Sequence, residues 1–339
     1  MLMKGLPVPL RLILTEILHY RLIYGHPRHP DIEKDLKKRK AGYKGELILS
    51  YYVKELPQGK YYIFHDLQLE HNGIYFQIDT LLISRNYILI IEAKNIVGQL
   101  VFDNVFNQLI RKNADGTEEV FEDPRVQAMR LRKLLGGILA KNGFNFLPID
   151  HLVFFSSSTK TILKTNSNDY SGLERVCKGR DLFNKIDEME KIYSHTRVDD
   201  EIIIEISKFL ISQHKPQKIN ILQDYKLTGQ DVISGVCCPL CLYIPMDYKR
   251  GKWLCPKCLT ISKDAFISGV YDYFLLIKPS ITNAECRSFL RVPTVDITQK
   301  HLFLLNLPFK GNTRNRVYFP PSDQFYIEKV PHAIHNKKQ

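Results

Sequence analysis

The stretch that most restricts how this chain can fold is Tyr-Ile-Leu-Ile-Ile, residues 87–91. It is apolar and largely β-branched, with none of the polar alternation of a half-exposed strand. It therefore predicts a strand covered on both faces. With the strand–strand–strand–helix–strand order of the surrounding segments, it reads as α/β with a mixed sheet. Glu92 and Lys94 follow at once, two positions apart and so on one face of the strand. An unpaired charge buried there costs several kcal/mol, so the two side chains have partners or a task.

One partner lies upstream. Phe76 to Ser84 reads as a second strand, and Arg85-Asn86 as a two-residue hairpin turn, since Asn tolerates positive φ. Pairing Ser84 with Tyr87 across that turn places Asp79 opposite Glu92, with Cβ atoms about 5 Å apart. Like charges that close repel unless a proton or a cation separates them. Carboxylates and water suit Mg²⁺ or Mn²⁺. The plainer alternative is a salt bridge of Lys94 with Glu92 or Asp79 on a half-exposed sheet, and a longer turn would shift the register. The context favours a metal site: the acids stand inside runs of Ile and Leu, with an acidic helix before them and an amide-bearing helix after.

At 339 residues the chain has room for two or three domains. Its 48 Lys and Arg exceed its 36 Asp and Glu, a formal charge of +12 that favours a polyanionic partner. The basic run LKKRK at 36–40 reads equally as a solvated helix face. No segment reaches the ~18 apolar residues of a membrane span, and the opening residues read as an amphipathic helix without a cleavage site. Seven cysteines, four of them in two CxxC pairs, suit a reducing cytoplasm and a metal better than disulfides. No Gly-rich phosphate loop is present, which argues against ATP hydrolysis.

Five segments emerge. A basic helical arm occupies 1–40, and an α/β core with a mixed sheet occupies 41–160, its first helix read from Tyr43 to Leu56. An extension and linker follow at 161–228, then a cysteine module at 229–265, whose opening Gly229 to Gly235 reads as a linker, and a tail at 266–325. Cys238, Cys241, Cys255 and Cys258 form two CxxC pairs that together complete a four-sulfur site for structural Zn²⁺. Cys237 reads as a spare, and Cys177 and Cys286 as buried thiols. Tyr248, Lys249, Arg250, Lys252, Trp253 and Lys257 decorate the module, positioned to grip phosphate and stack a base. In the tail, ITNAECRSFL and VDITQKHLFLLNL are spaced as a helix-turn-helix with N-caps Thr282 and Thr294, and LPFKGNTRNRVYFPP reads as a winged-helix wing. An ordinary helical pair is the alternative.

The stretch from Lys44 to Ser158 resembles a NERD domain, the nuclease-related domain of the PD-(D/E)xK superfamily. The resemblance rests on Gly45-Glu46, the Gln77-Ile78-Asp79 strand, Ile91-Glu92-Ala93-Lys94-Asn95 followed by Gly98, and Pro124 with Gln127. Proteins of this family often carry a C-terminal zinc-binding module too. Thr80-Leu81 departs from the histidine found after the aspartate in many relatives. The resemblance implies a restriction-endonuclease-like mixed sheet flanked by helices and a metal-dependent DNA nuclease. Asp79 and Glu92 would hold Mg²⁺ or Mn²⁺, with Glu46 adding a carboxylate directly or through water. Lys94 would orient the attacking water, and Gln127 would position water or a phosphate oxygen. A non-catalytic DNA-binding platform and a ribonuclease or RNA-binding factor are the rivals. Two-strand cleavage would call for a homodimer or a partner.

Overall fold

The computed structural model describes residues 1–113, 115–157, 159–166, 170–312 and 315–321. Ser158 at the end of the NERD-like stretch, Thr313 and Arg314 in the wing, and residues 322–325 of the tail lie outside the described residues. The chain divides into two compact units, over which the five sequence segments are distributed. The first holds Met1–Pro7 and Lys40–Lys218, the second Val8–Arg39 and Ile219–Gln339.

The chain opens with strand β1 (Leu2–Lys4), helix α1 (Leu10–Arg21) and helix α2 (His29–Lys54). An antiparallel meander follows in β2 (Tyr62–His71), β3 (Ile74–Ile83) and β4 (Ile88–Lys94). Next come β5 (Gly98–Asp103), β6 (Gln108–Lys112), β7 (Glu118–Glu122), α3 (Pro124–Lys141), β8 (Ile149–Phe155), β9 (Thr161–Thr165) and β10 (Val176–Lys178). Helices α4 (Asp181–Ile192) and α5 (Asp200–Ser212) complete the first unit. The second unit continues with α6 (Ile221–Asp224), β11 (Asp247–Lys249), β12 (Lys252–Leu254), β13 (Ile261–Ser262) and α7 (Ala265–Leu276). It ends in β14 (Ile281–Thr282), α8 (Asn283–Leu290), α9 (Val295–Leu304), β15 (Phe309–Lys310) and β16 (Val317–Tyr318).

The expected fold class is present: a mixed α/β sheet flanked by helices, with a four-cysteine cluster near the C-terminus. The main sheet has six strands in the order β1-β2-β3-β4-β8-β10. Strands β2, β3 and β4 run antiparallel, while β8 lies parallel to β4 and β10 parallel to β8. Residues 87–91 are fully buried, as an apolar run without alternation requires. Ile88 and Ile90 join a core with Leu131, Leu135 and Ile138 of α3 and Ile203, Ile206 and Leu210 of α5. Tyr87, Leu89 and Ile91 join the opposite core, with Leu49 and Val53 of α2 and Leu182 and Ile186 of α4. A second sheet of four strands, β7-β6-β5-β9, packs through Leu100, Phe102 and Leu109 against Ala128 of α3 and Phe155 of β8.

Two elements differ from their sequence reading. The first helix does not begin near Tyr43: α2 runs unbroken from His29 and passes through Gly42 and Gly45. Two glycines cost a helix about 1 kcal/mol each, and 26 residues absorb that cost. The basic run in it is partly neutralised, with Lys37 on Glu33 (2.6 Å) and Arg39 on Asp35 (2.8 Å). The stretch 229–235, which reads as a linker, starts as a 3₁₀ turn closed by a Thr228–Asp231 capping box. Its next residues are fastened to Arg21, whose Nη1 donates to the carbonyls of Ile233 (3.1 Å) and Gly235 (3.2 Å).

In the second unit the expected helix pair forms, with Thr282 and Thr294 accepting from the N–H groups of Glu285 and Ile297. With α7 before them and a sheet ordered β14-β16-β15 around them, the elements follow winged-helix order. One core joins Cys238, Trp253 and Cys255 of the cysteine module to Phe266, Leu290 and Leu302 of α7, α8 and α9.

Candidate functional site

The carboxylates of the first unit meet where the strands lose their regularity. The Arg85-Asn86 turn has two residues, and the β3–β4 ladder runs Ile83↔Ile88 to Thr80↔Ile91. Asp79 and Glu92 lie one residue beyond the last paired rung, where the ladder ends. There Asp79 Oδ2 accepts the Ala93 backbone N–H at 2.8 Å. Glu92 is buried and receives Lys94 Nζ at 2.9 Å. Lys94 Nζ also donates to Gln127 Oε1 at 2.8 Å. Gln127 stands in the first turns of α3, which Asp123 caps by accepting from Arg125 N–H (2.8 Å), with Pro124 at the first helical position.

Glu46 sits in the middle of α2, so the helix dipole at an N-terminus does not account for it. What places it is Gly45. A Cβ there would lie 2.9 Å from Asn95 Cβ and 3.3 Å from Ser156 Oγ, so glycine lets α2 come close to the ends of β4 and β8. Asn95 Nδ2 donates to the Ala41 carbonyl at 2.7 Å and holds that contact. Burial, then the charges of Asp66 and Glu92, push the Glu46 carboxyl up to about 7. Burial also raises Asp79 well above the carboxylate range, with Glu92 and Glu46 adding to it and the Ala93 N–H and Lys94 opposing. Glu46 Oε2 is buried without a hydrogen-bond partner.

Asp66, which with His65 and His71 could line a cleft on sequence grounds, is a further carboxylate near this row. It falls between the His65↔Thr80 and Leu67↔Ile78 rungs, which places it opposite Asp79. Its backbone takes φ 52°, unusual inside a strand. At this row the inward alternation slips by one residue, because Phe64, Leu67 and Leu69 of β2 and Ile78, Leu81 and Ile83 of β3 all enter one core. Such irregularities re-aim side chains. Lys4 Nζ pairs with Asp66 Oδ2 at 3.2 Å. The signal was available: Asn72-Gly73, both at positive φ, is a strong hairpin turn and fixes this register. His65 is structural, a neutral imidazole lowered to about 4 by burial and bonded to Ser50 Oγ (3.3 Å) and Thr80 Oγ1 (2.9 Å). His71 packs against Gly137, about 15 Å along α3 from Gln127.

Asp79, Glu92 and Glu46 are the oxygen donors available to a divalent cation here. The raised carboxyls and the orphaned Glu46 oxygen fit one, because a cation would satisfy both. Among the described residues, only the four cysteines bring three or more ligand atoms within 4.8 Å of one another. The acids are therefore near neighbours and not a closed ligand cage.

The cysteine centre is closed. Cys238 Sγ lies 3.6 Å from Cys258 Sγ, and Cys241 Sγ 3.6 Å from Cys255 Sγ. Tetrahedral zinc with Zn–S bonds near 2.3 Å requires sulfurs about 3.8 Å apart, so the cluster can bind zinc. The two knuckles repeat one backbone design. Leu242 N–H returns to the Cys238 carbonyl and Leu259 N–H to the Cys255 carbonyl, each at 3.0 Å. Cys237 stays outside the cluster, buried, with its thiol donating to the Cys238 carbonyl and pushed up to about 12 by burial. Cys177 and Cys286 are buried free thiols, as expected. Trp253 departs from expectation: it is 1 % exposed and stacked toward Phe266, so it cannot stack a base. Lys249, Arg250, Lys252 and Lys257 are exposed.

The mixed α/β sheet flanked by helices is consistent with a nuclease-like fold. Residues 41–156 match the family model of NERD, the nuclease-related domain, and the chain carries that domain over this stretch. No curated protein and no solved structure matches the chain. Among the described residues no helix is long and apolar enough to cross a membrane.

Proposed function

We propose that the chain is a divalent-metal-dependent deoxyribonuclease that hydrolyses phosphodiester bonds at Asp79, Glu92 and Lys94. The observation that carries the reading is Lys94 Nζ, held between Glu92 Oε1 and Gln127 Oε1 beside Asp79. Asp79 and Glu92 would hold Mg²⁺ or Mn²⁺, and Glu46 would join directly or through water. When bound, the cation supplies positive charge against the phosphate oxygens and makes water a better nucleophile. Lys94 orients the attacking water and offsets charge developing on the phosphate. Gln127 fixes Lys94 and offers its amide to water or a phosphate oxygen. The helix pair, the wing and the exposed cations of the cysteine module would hold DNA in the second unit, with zinc structural.

The test incubates purified protein with circular duplex DNA, single-stranded DNA and RNA in Mg²⁺, Mn²⁺ or EDTA. Metal-dependent cutting of DNA that Asp79→Ala, Glu92→Ala and Lys94→Ala each abolish, with unchanged circular dichroism, is expected. Binding without cutting would leave a non-catalytic platform, and cutting of RNA alone would make it a ribonuclease.

A further inference from the structure

The hairpin tip between β5 and β6 exposes two apolar side chains on a turn that is firmly fixed. Val105 and Phe106 are 73 % and 74 % exposed. Asp103 accepts from the N–H groups of Val105 (3.0 Å) and Phe106 (3.3 Å) and from Gln108 Nε2 (2.9 Å). The Asn107 carbonyl accepts from Asp123 N–H at 3.4 Å, and Asn104 Oδ1 from Arg125 Nη2 at 2.7 Å. Arg125 is buried against Asp123 (2.6 Å) and lies 4.9 Å over the Phe102 ring. The tip is thus fastened to the N-terminal end of α3, and within the same first turn Gln127 meets Lys94. On its other side Phe102 packs edge-on against Phe155 (6.2 Å), the strand partner of Lys94.

We propose that Phe106, supported by Val105, is a wedge that stacks on a base of the nucleic acid bound at Lys94. The proposal rests on the nuclease reading above. A turn whose backbone is already fixed loses little freedom on contact, so stacking there is offset less by ordering. Two adjoining apolar side chains fall far short of the roughly 800 Å² that each partner buries in a stable protein interface. They match the apolar wedges that enter base steps. The surrounding charge is mixed but carries exposed cations. Arg130, one turn past Gln127, and Lys133 are exposed, as is Glu122, which stands across from Gln108 beside the tip. Glu118 and Glu119, at the far end of the same ladder, are paired with Lys112 and Arg111. Inserting a wedge is easiest where pairing is already lost. The favoured substrate is therefore DNA with unpaired bases: a single strand, a frayed end or a junction.

The test uses full-length protein, with Ca²⁺ in place of Mg²⁺ to keep substrate intact, and DNA carrying 2-aminopurine at a single-strand–duplex junction. Wild type should raise 2-aminopurine emission. Phe106→Ala should lose that rise and bind about 5- to 150-fold more weakly, the range that stacking on one base commands. Phe106→Trp should restore both. Phe106 is exposed, so circular dichroism should not change. If wild type binds and cuts DNA while Phe106→Ala matches it in emission and affinity, the wedge is refuted and the nuclease stands. If wild type binds no nucleic acid, both readings fall.

Discussion

Glu46→Gln should stabilise the metal-free protein at pH 8 and leave it nearly unchanged at pH 4. Burial, Asp66 and Glu92 raise the Glu46 carboxyl from 4.5 to about 7. Its folded value thus lies above its unfolded one, and the native state keeps a proton that the unfolded chain releases. Stability from this group is present in full below the unfolded value and is lost as pH rises through 7. At about 1.4 kcal/mol per pH unit, the wild-type carboxylate costs the fold about 3 kcal/mol by pH 8. Glutamine removes that cost, and because Oε2 has no partner, no hydrogen bond from that oxygen is sacrificed. Urea melts in EDTA at the two pH values measure it. Saturating Mg²⁺ should erase the difference at pH 8, because a cation replaces the missing proton for the wild type alone. A gain of equal size at both pH values, or a loss at pH 8, would refute the picture of crowded carboxylates.

Gly45→Ala would gain about 1 kcal/mol in an unobstructed helix. Here the new Cβ meets Asn95 at 2.9 Å, so thermal melting should show a loss of about 1–3 kcal/mol, and cleavage should fall as Glu46 shifts with α2. Elemental analysis should find one zinc per chain. Cys255→Ser or strong chelation should redden the emission of Trp253, the chain's one tryptophan, because that side chain shares a core with Cys238 and Cys255. Unchanged emission after verified zinc loss would show that the module folds without metal.

The β3–β4 register that carries Asp79 and Glu92 to the end of the ladder was legible because a two-residue turn sets register and side chains alternate with period two. The cysteine quartet was legible for a similar reason: each CxxC pair is local, and four thiolates at that spacing have few other uses. The buried character of residues 87–91 needed only composition. Where side chains from distant segments meet depended on packing. Gln127 reaches Lys94 because α3 lies across the sheet on Leu131 and Leu135, and no spacing along the chain encodes that distance. Glu46 enters the site from mid-helix because Gly45 admits a close approach, whereas the sequence reading starts that helix only at Tyr43. Asp66 joins the row through a left-handed residue that shifts strand alternation, and period counting cannot see such a slip. Trp253 shows the same limit: an aromatic among lysines looks like a nucleic-acid contact, yet apolar area decides, and the ring is buried against Phe266.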